Sequence, residues 1–183
     1  MKLHIDRPIR IGIFGGAFDW NRNAEKSAAA IGTYIAKNKC SAVTGATTGL
    51  PYVAGKSAME HGAFVLGISP AHDINEHTQK YKKPTDGCSV IIWTGSGYTG
   101  RNYLNIRNCD GAIFIGGETG TLEEFCIANY EGKVIGALEG SGGVSDKIRE
   151  IMSVSPTDHG AVIIYDTDPK RLFRSVLQEL KKR

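Results

Sequence analysis

The sequence lacks the residue patterns by which metal-binding and disulfide-bonded proteins are recognised. Its four cysteines are scattered, and no two of them have the spacing of a metal site or a redox motif. Its five histidines form no cluster either, so we expect reduced thiols and no structural metal. The net charge of +3 is small and the basic residues are dispersed, which argues against nucleic acid as a partner.

Long apolar runs are also absent. No run approaches the ~20 residues that a membrane-spanning helix needs, and residues 1–10 lack the apolar core of a secretory signal. We therefore expect a cytoplasmic protein with no membrane association. The chain has 183 residues, of which 41% are hydrophobic and 22% are charged, and this suits a single globular domain spanning residues 1–183.

Short apolar, β-branched runs alternate with helical patterns along the whole chain. Strands are predicted at 9–14, 42–45, 64–68, 89–93, 112–115, 134–138 and 161–165. Helices are predicted at 24–37, 51–61, 101–109, 121–130, 145–153 and 169–181, with a loop or flap at 69–87. This order predicts an α/β fold, a single Rossmann-like doubly wound and mostly parallel sheet with helices on both faces.

Glycine is abundant, with 23 residues, and it clusters where predicted strands end. The clusters lie at 15–16, 45–49, 94–100, 116–121 and 140–143. In a parallel sheet all carboxyl ends of the strands lie at one edge, and ligands bind there near a topological switch point. The sequence therefore predicts a ligand crevice lined by these turns.

Two familiar phosphate-binding patterns carry little weight. Residues 95–100 match GxGxxG after a strand, but no acid follows the next strand where a ribose ligand would be expected. Gly55-Lys56-Ser57 resembles part of a P-loop, but Gly49 is one residue too far upstream and the triplet falls inside a predicted helix. We interpret Lys56 as an ordinary surface lysine.

The strongest pattern is the stretch 116–124, which joins an apolar strand to a helix. Glycines let a backbone approach an anion closely, and free N–H groups at a helix start favour phosphate. Thr121 and Glu124 also match a capping box, so Glu124 is either a functional carboxylate or a helix cap. The carboxylate of Glu118 would repel an anion unless it points away from the turn.

Arg101 is predicted to open the short helix after the turn 94–100, where its guanidinium could bind a phosphate or a ribose. A solvated surface arginine is the alternative. Asn102 and Asn105 could offer further polar contacts or could be solvated. Arg101 and Glu124 are the charged candidates for the site. The predicted phosphate- and nucleotide-binding residues are Gly15, Gly16, Gly45, Thr47, Thr48, Gly49, Gly116, Gly117, Glu118, Thr119, Gly120 and Thr121.

These motifs resemble those of the Rossmann-like nucleotide-binding family that includes the Lonely Guy phosphoribohydrolases and proteins once named "possible lysine decarboxylases". That family carries a Pro-Gly-Gly-x-Gly-Thr-x-x-Glu motif with an arginine upstream. Gly117, Gly120, Thr121 and Glu124 match it, Gly116 replaces the proline and Glu118 replaces the second glycine of the pair. Arg101 has the family's separation from the glutamate. No lysine lies in a context that suggests a pyridoxal phosphate Schiff base.

The resemblance implies a nucleotide-binding protein with an AMP-like ligand, no required cofactor, and a homodimer or larger assembly. Two functions stay open. The first is hydrolysis of the N-glycosidic bond of a nucleoside 5′-monophosphate, with Arg101 and Glu124 as the catalytic residues. The second is a carrier that binds a phosphorylated nucleotide or a molybdopterin-type cofactor without turnover, since a molybdenum-cofactor carrier protein shares the same plan. A purely structural protein is poorly motivated, because five glycine-bearing turns meet at one edge.

Overall fold

The structure is a computed structural model that describes residues 7–17, 20–155 and 157–183. Most of the segment 1–10, from which we predict the absence of a secretory signal, lies outside the described residues. The strands are β1 (Arg10–Gly15), β2 (Ser41–Thr44), β3 (Val65–Ser69), β4 (Val90–Trp93), β5 (Gly111–Ile115), β6 (Val134–Leu138) and β7 (Val162–Asp166). The helices are α1 (Arg22–Lys37), α2 (Leu50–Glu60), α3 (Gly97–Arg107), α4 (Thr119–Tyr130), α5 (Ile148–Val154) and α6 (Pro169–Leu180).

The strands form one parallel sheet in the order β4-β3-β2-β1-β5-β6-β7. This confirms the predicted α/β, Rossmann-like fold. The strand order reverses between β1 and β5, where Phe14 pairs with Phe114 and Gly15 with Ile115. A crevice opens outside the carboxyl ends of such a pair because the connecting chains leave in opposite directions.

Two apolar layers cover the sheet. One contains α1, α2 and α6, and its buried side chains include Ile31, Leu50 and Leu172. The other contains α3, α4 and α5, with Ile106 and Phe125 among its buried side chains. The central strands β2, β5 and β6 are buried along their whole length. Helices cover both faces of the sheet there, and for this reason the sequences of these strands are continuous apolar runs.

Three predicted elements differ from the structure. Helix α3 begins at Gly97, so Arg101 lies in its second turn and does not open it. The predicted helix 145–153 is a 3₁₀ turn (Gly143–Lys147) followed by the short helix α5. The predicted loop 69–87 contains a π-helical turn (Glu76–Lys80), and the ring of buried His77 holds it to Ser69 and to the carbonyl of Pro84.

The capping-box prediction for Glu124 is wrong. Helix α4 begins at Thr119 with Glu118 as its N-cap residue, and the Glu118 side chain makes no capping hydrogen bond. Thr121 therefore lies inside the first turn and Glu124 in the second. The carboxyl of Glu124 accepts a hydrogen bond from a side chain of α3 instead.

Among the described residues, none of the helices has the length and apolar character needed to traverse a bilayer. The described part of the chain also contains no group of three or more His, Cys, Asp or Glu side chains placed to hold a metal ion. The four cysteines are free thiols; Cys40 and Cys109 are buried, whereas Cys126 is exposed.

Candidate functional site: a crevice at the carboxyl ends of β1 and β5

A cavity of about 450 Å³ lies at the carboxyl ends of β1, β2 and β5, and we call it the main cavity. This volume falls within the range of small-molecule sites in proteins. Its lining includes eight of the residues predicted from the sequence. These are Arg101, Glu124, Gly15, Gly45, Thr47, Glu118, Gly120 and Thr121.

Arg101 is buried, with 7% of its surface exposed, yet its guanidinium makes one hydrogen bond to the protein: Nη1 donates to the carbonyl of Gly45 at 2.7 Å. The Nε–H group is buried and has no partner. Within the described ranges no carboxylate lies within 4 Å of the guanidinium. Burial lowers the pKa of Arg101. A buried guanidinium with one hydrogen bond and no carboxylate in contact favours an anionic ligand.

Gly45 is glycine because Arg101 occupies the space beside it. A Cβ atom at position 45 would overlap the Nη1 atom of Arg101. Tyr98 lies on another side of the guanidinium, with its ring centroid 5.7 Å from Cζ of Arg101. Tyr98 also lines the main cavity and is exposed, so its ring is available to a ligand.

Glu124 is buried against helix α3, and its Oε1 atom accepts a hydrogen bond of 2.7 Å from Nδ2 of Asn105. Burial raises the pKa of Glu124 to about 7, against the opposing effects of the Arg101 charge and the Asn105 hydrogen bond. A carboxyl with a pKa near neutrality can both accept and return a proton, which suits general acid–base chemistry.

The two asparagines on α3 pair with two acids on α4. Asn102 Nδ2 donates to Glu123 Oε2 at 2.8 Å, one turn before the bond between Asn105 and Glu124. Both asparagines are buried, so the solvated alternative is wrong. Their spacing of three residues places both amides on the side of α3 that faces α4.

The start of α4 is the predicted anion-binding turn. The N–H groups of Thr119, Gly120 and Thr121 belong to the first turn of the helix, where no carbonyl one turn earlier can accept them. Gly117 has a φ of +98°, and a Cβ there would overlap the side chain of Thr121. The turn therefore requires glycine. Glu118 is exposed at this turn and brings a negative charge to it.

The remaining predicted residues divide between a second cavity and a structural role. Gly16, Gly116 and Gly117 line a neighbouring cavity of about 400 Å³ together with Trp20, and Glu118 lines both cavities. Gly49 has a φ of +79° and lies against the backbone of Gly16 and Ala17, so its role is to pack the turns together. Neither cavity is lined by Thr119, the exposed first residue of α4, or by Thr48.

Sequence reasoning missed Lys83 and Glu123 in the lining of the main cavity. Glu123 stands beside the predicted Glu124, and its helix position could have revealed it. Lys83 lies in the segment predicted as a loop or flap, and no local pattern distinguishes it from the neighbouring Lys82. Its Nζ atom donates to Thr48 Oγ1 at 3.2 Å.

The fold and this crevice define a Rossmann-like protein with a small-molecule cavity at its topological switch point. More particularly, the chain belongs to the SLOG cluster4 family, whose model matches residues 8–173. A protein of Archaeoglobus fulgidus with no assigned function is 28% identical over 131 residues, which cover 72% of this chain and 80% of that protein.

Two solved structures share the fold. TM1055, a structural genomics target, has a TM-score of 0.80 and 22% identity, covering 93% of this chain and 99% of its own. The molybdenum cofactor carrier protein of Chlamydomonas reinhardtii has a TM-score of 0.79 and 23% identity, covering 97% of this chain and all of its own. At these identities the likeness is one of fold.

Proposed function

We propose that the protein binds a nucleoside 5′-monophosphate in the main cavity and hydrolyses its N-glycosidic bond. One observation carries the proposal: the buried guanidinium of Arg101, with a single hydrogen bond to the protein, shares a cavity with a buried carboxyl, Glu124, whose pKa is about 7. An anion-binding group beside a carboxyl that can exchange a proton is what this hydrolysis requires.

The other residues of the main cavity have roles that fit this reaction. The first-turn N–H groups of Gly120 and Thr121, with the Thr121 hydroxyl, would contact the phosphate. Arg101 would orient the phosphate and the ribose. The exposed ring of Tyr98 offers an apolar surface for a heterocycle.

In the proposed reaction water replaces the base at C1′ of the ribose. The C1′–N bond breaks and its electron pair leaves with the base, so positive charge develops on the sugar. Ionised Glu124 accepts a proton from water as the water oxygen bonds to C1′. That proton then passes to the departing base, directly or through solvent, and the carboxylate is regenerated. The products are the free base and ribose 5-phosphate, and no co-reactant besides water is needed.

The test is a base-release assay with a panel of nucleoside 5′-monophosphates, read by chromatography. General acid–base help is typically worth ~10²–10⁴-fold, so Glu124→Gln should lose about that factor in turnover. Arg101→Ala should lose turnover as well. Exposed Glu60→Gln, on the far end of α2, is the control. Base release that persists at the wild-type rate in Glu124→Gln would reject the mechanism.

A second candidate is a carrier that binds a phosphorylated nucleotide or a pterin-type cofactor without turnover. Two observations favour it. The first is the similarity in fold to the Chlamydomonas carrier protein, and the second is Glu118, which stands where the motif of the Lonely Guy phosphoribohydrolases has a glycine. A ligand that copurifies with the protein, without base release from any substrate, would support the carrier. The expectations of self-association and of no nucleic-acid partner stay predictions.

A further inference from the structure

The main cavity receives two cations from two different parts of the chain, and the same turn holds both of them. Arg101 of α3 donates to the carbonyl of Gly45, and Lys83, from the segment between β3 and β4, donates to the hydroxyl of Thr48. Gly45 and Thr48 belong to the turn that joins β2 to α2. We call Lys83 and Arg101 the cation pair.

The fold fixes the position of Lys83. Its backbone N–H donates to the carbonyl of His77 at 3.1 Å. His77 is fully buried, and its ring contacts Ser69 Oγ at 2.8 Å and the carbonyl of Pro84 at 3.1 Å. The backbone on both sides of Lys83 is therefore attached to the end of β3, so the lysine enters the cavity from an ordered segment.

Charge in the main cavity is divided between two sides. The cation pair lies on the side of the turn after β2, whereas Glu118, Glu123 and Glu124 come from α4. Burial and the charge of Arg101 both lower the pKa of Lys83, so the two cations repel each other in a partly desolvated place. An anion with two negative charges would relieve that repulsion. A phosphate monoester carries ≈ −1.5 to −2 charges at pH 7.

We propose that Lys83 and Arg101 together bind the phosphate monoester of the ligand, so that the segment between β3 and β4 forms part of the binding site. The proposal deepens the function proposed above and rests on it for the identity of the ligand as a phosphorylated nucleoside. It assigns Lys83 as a specificity residue that distinguishes a nucleoside monophosphate from the nucleoside. The first turn of α4 completes the contacts to the same group.

The experiment measures binding of AMP, adenosine and ribose 5-phosphate by calorimetry, with base release measured in parallel. The variants are Lys83→Met, which keeps the length and removes the charge, and Lys83→Arg, which restores the charge. Lys82→Met is the matched control, because Lys82 is the exposed neighbour. Loss of a charge-assisted hydrogen bond should weaken AMP and ribose 5-phosphate binding by about 10- to 100-fold in Lys83→Met. Adenosine binding should change by less than about twofold. Lys83→Arg keeps the positive charge, so it should lose less affinity for AMP and ribose 5-phosphate than Lys83→Met does.

Each other outcome has a distinct meaning. Equal losses for AMP and adenosine in Lys83→Met would overturn the proposal, because the lysine would then act on the fold or on the base. Wild-type affinity for AMP in Lys83→Met, with base release intact, would overturn it while leaving the proposed function in place. A loss confined to the phosphorylated ligands, with no base release even from wild type, would uphold the cation pair and reject hydrolysis. Binding of none of the three probes would overturn both.

Discussion

Replacing Glu124 by glutamine should stabilise the protein at high pH while slowing the proposed reaction by ~10²–10⁴-fold. The carboxyl is buried, and its Oε1 atom accepts one hydrogen bond from Asn105. The positive charge of Arg101 lowers its pKa, whereas the like charge of Glu123 raises it. Its pKa rises from 4.5 to about 7 on folding, mainly because burial disfavours the charged form. Since one pKa unit corresponds to about 1.4 kcal/mol, this change amounts to roughly 3 kcal/mol.

The direction of the effect follows from proton binding. A carboxyl whose pKa is raised by folding holds its proton more tightly in the folded chain, so its contribution to the free energy of unfolding is complete below pH 4.5. That contribution is lost as the pH rises through about 7. Glutamine cannot ionise and can still accept the hydrogen bond from Asn105. The difference in stability between variant and wild type should therefore grow by about 3 kcal/mol between pH 4 and pH 9, in favour of the variant.

Urea denaturation of both proteins at a series of pH values measures this difference, because all other titrating groups cancel. Glu60→Gln controls for the loss of a carboxylate from the surface. A difference that stays constant from pH 4 to pH 9 would show that the site does not penalise the ionised form of Glu124. The proposed role of a proton-exchanging carboxyl would then lose its physical basis.

Three further predictions concern other parts of the structure. Gly45→Ala should reduce AMP binding as much as Arg101→Ala does, because the added methyl group displaces the guanidinium of Arg101. The circular dichroism spectrum should be unchanged, and normal AMP binding would contradict the position of Arg101 beside Gly45. Glu118→Gln should tighten AMP binding about fivefold, because it removes the repulsion between the carboxylate and the phosphate, and two unit charges 4 Å apart in water repel by about 1 kcal/mol. Calorimetry measures this affinity, and weaker binding in the variant would show that the carboxylate contacts the ligand instead. Asp110→Asn should lower the free energy of unfolding by about 1–3 kcal/mol at pH 7, because Asp110 accepts hydrogen bonds from Arg7 and from the backbone and side chain of Arg10. The loss should shrink in acid, since burial raises the pKa of Asp110 but the bonds from Arg7 and Arg10 outweigh it and hold that pKa well below its usual range. Equal urea midpoints at pH 7 would contradict it.

The sequence predicted the sheet well because its signal is local. Strand β6 has the predicted bounds, Val134–Leu138, and the other strand bounds differ by one residue at each end or less. The central strands β2, β5 and β6 are buried along their whole length, so their apolar runs are continuous. The glycine clusters also predicted where the carboxyl ends of the strands lie. The tight turns at that edge need residues that tolerate positive φ, and this requirement is visible in the local sequence.

The site was less predictable where it depends on contacts between distant segments. The sequence around Glu124 matches a capping box, but in the structure its carboxyl accepts a hydrogen bond from Asn105 of the neighbouring helix instead. Helix α3 starts four residues earlier than predicted, and the extra turn contains Gly97 and Gly100, whose low helix propensity argues for a later start. Lys83 donates a hydrogen bond to Thr48, which lies 35 positions away in the chain, and no periodicity in the sequence predicts that contact.

The turn between β2 and α2 has a thermodynamic consequence for any ligand. Long cationic side chains each carry about 2 kcal/mol of rotamer entropy, and ordering them ordinarily opposes binding. Here the fold itself orders Arg101 and Lys83, through hydrogen bonds to the carbonyl of Gly45 and the hydroxyl of Thr48. The rotamer entropy of these two side chains is therefore lost on folding and not on binding. An anion binds to a site whose positive charges are already in position. Association with such a site needs no rearrangement of these two side chains, so it should proceed in a single kinetic step.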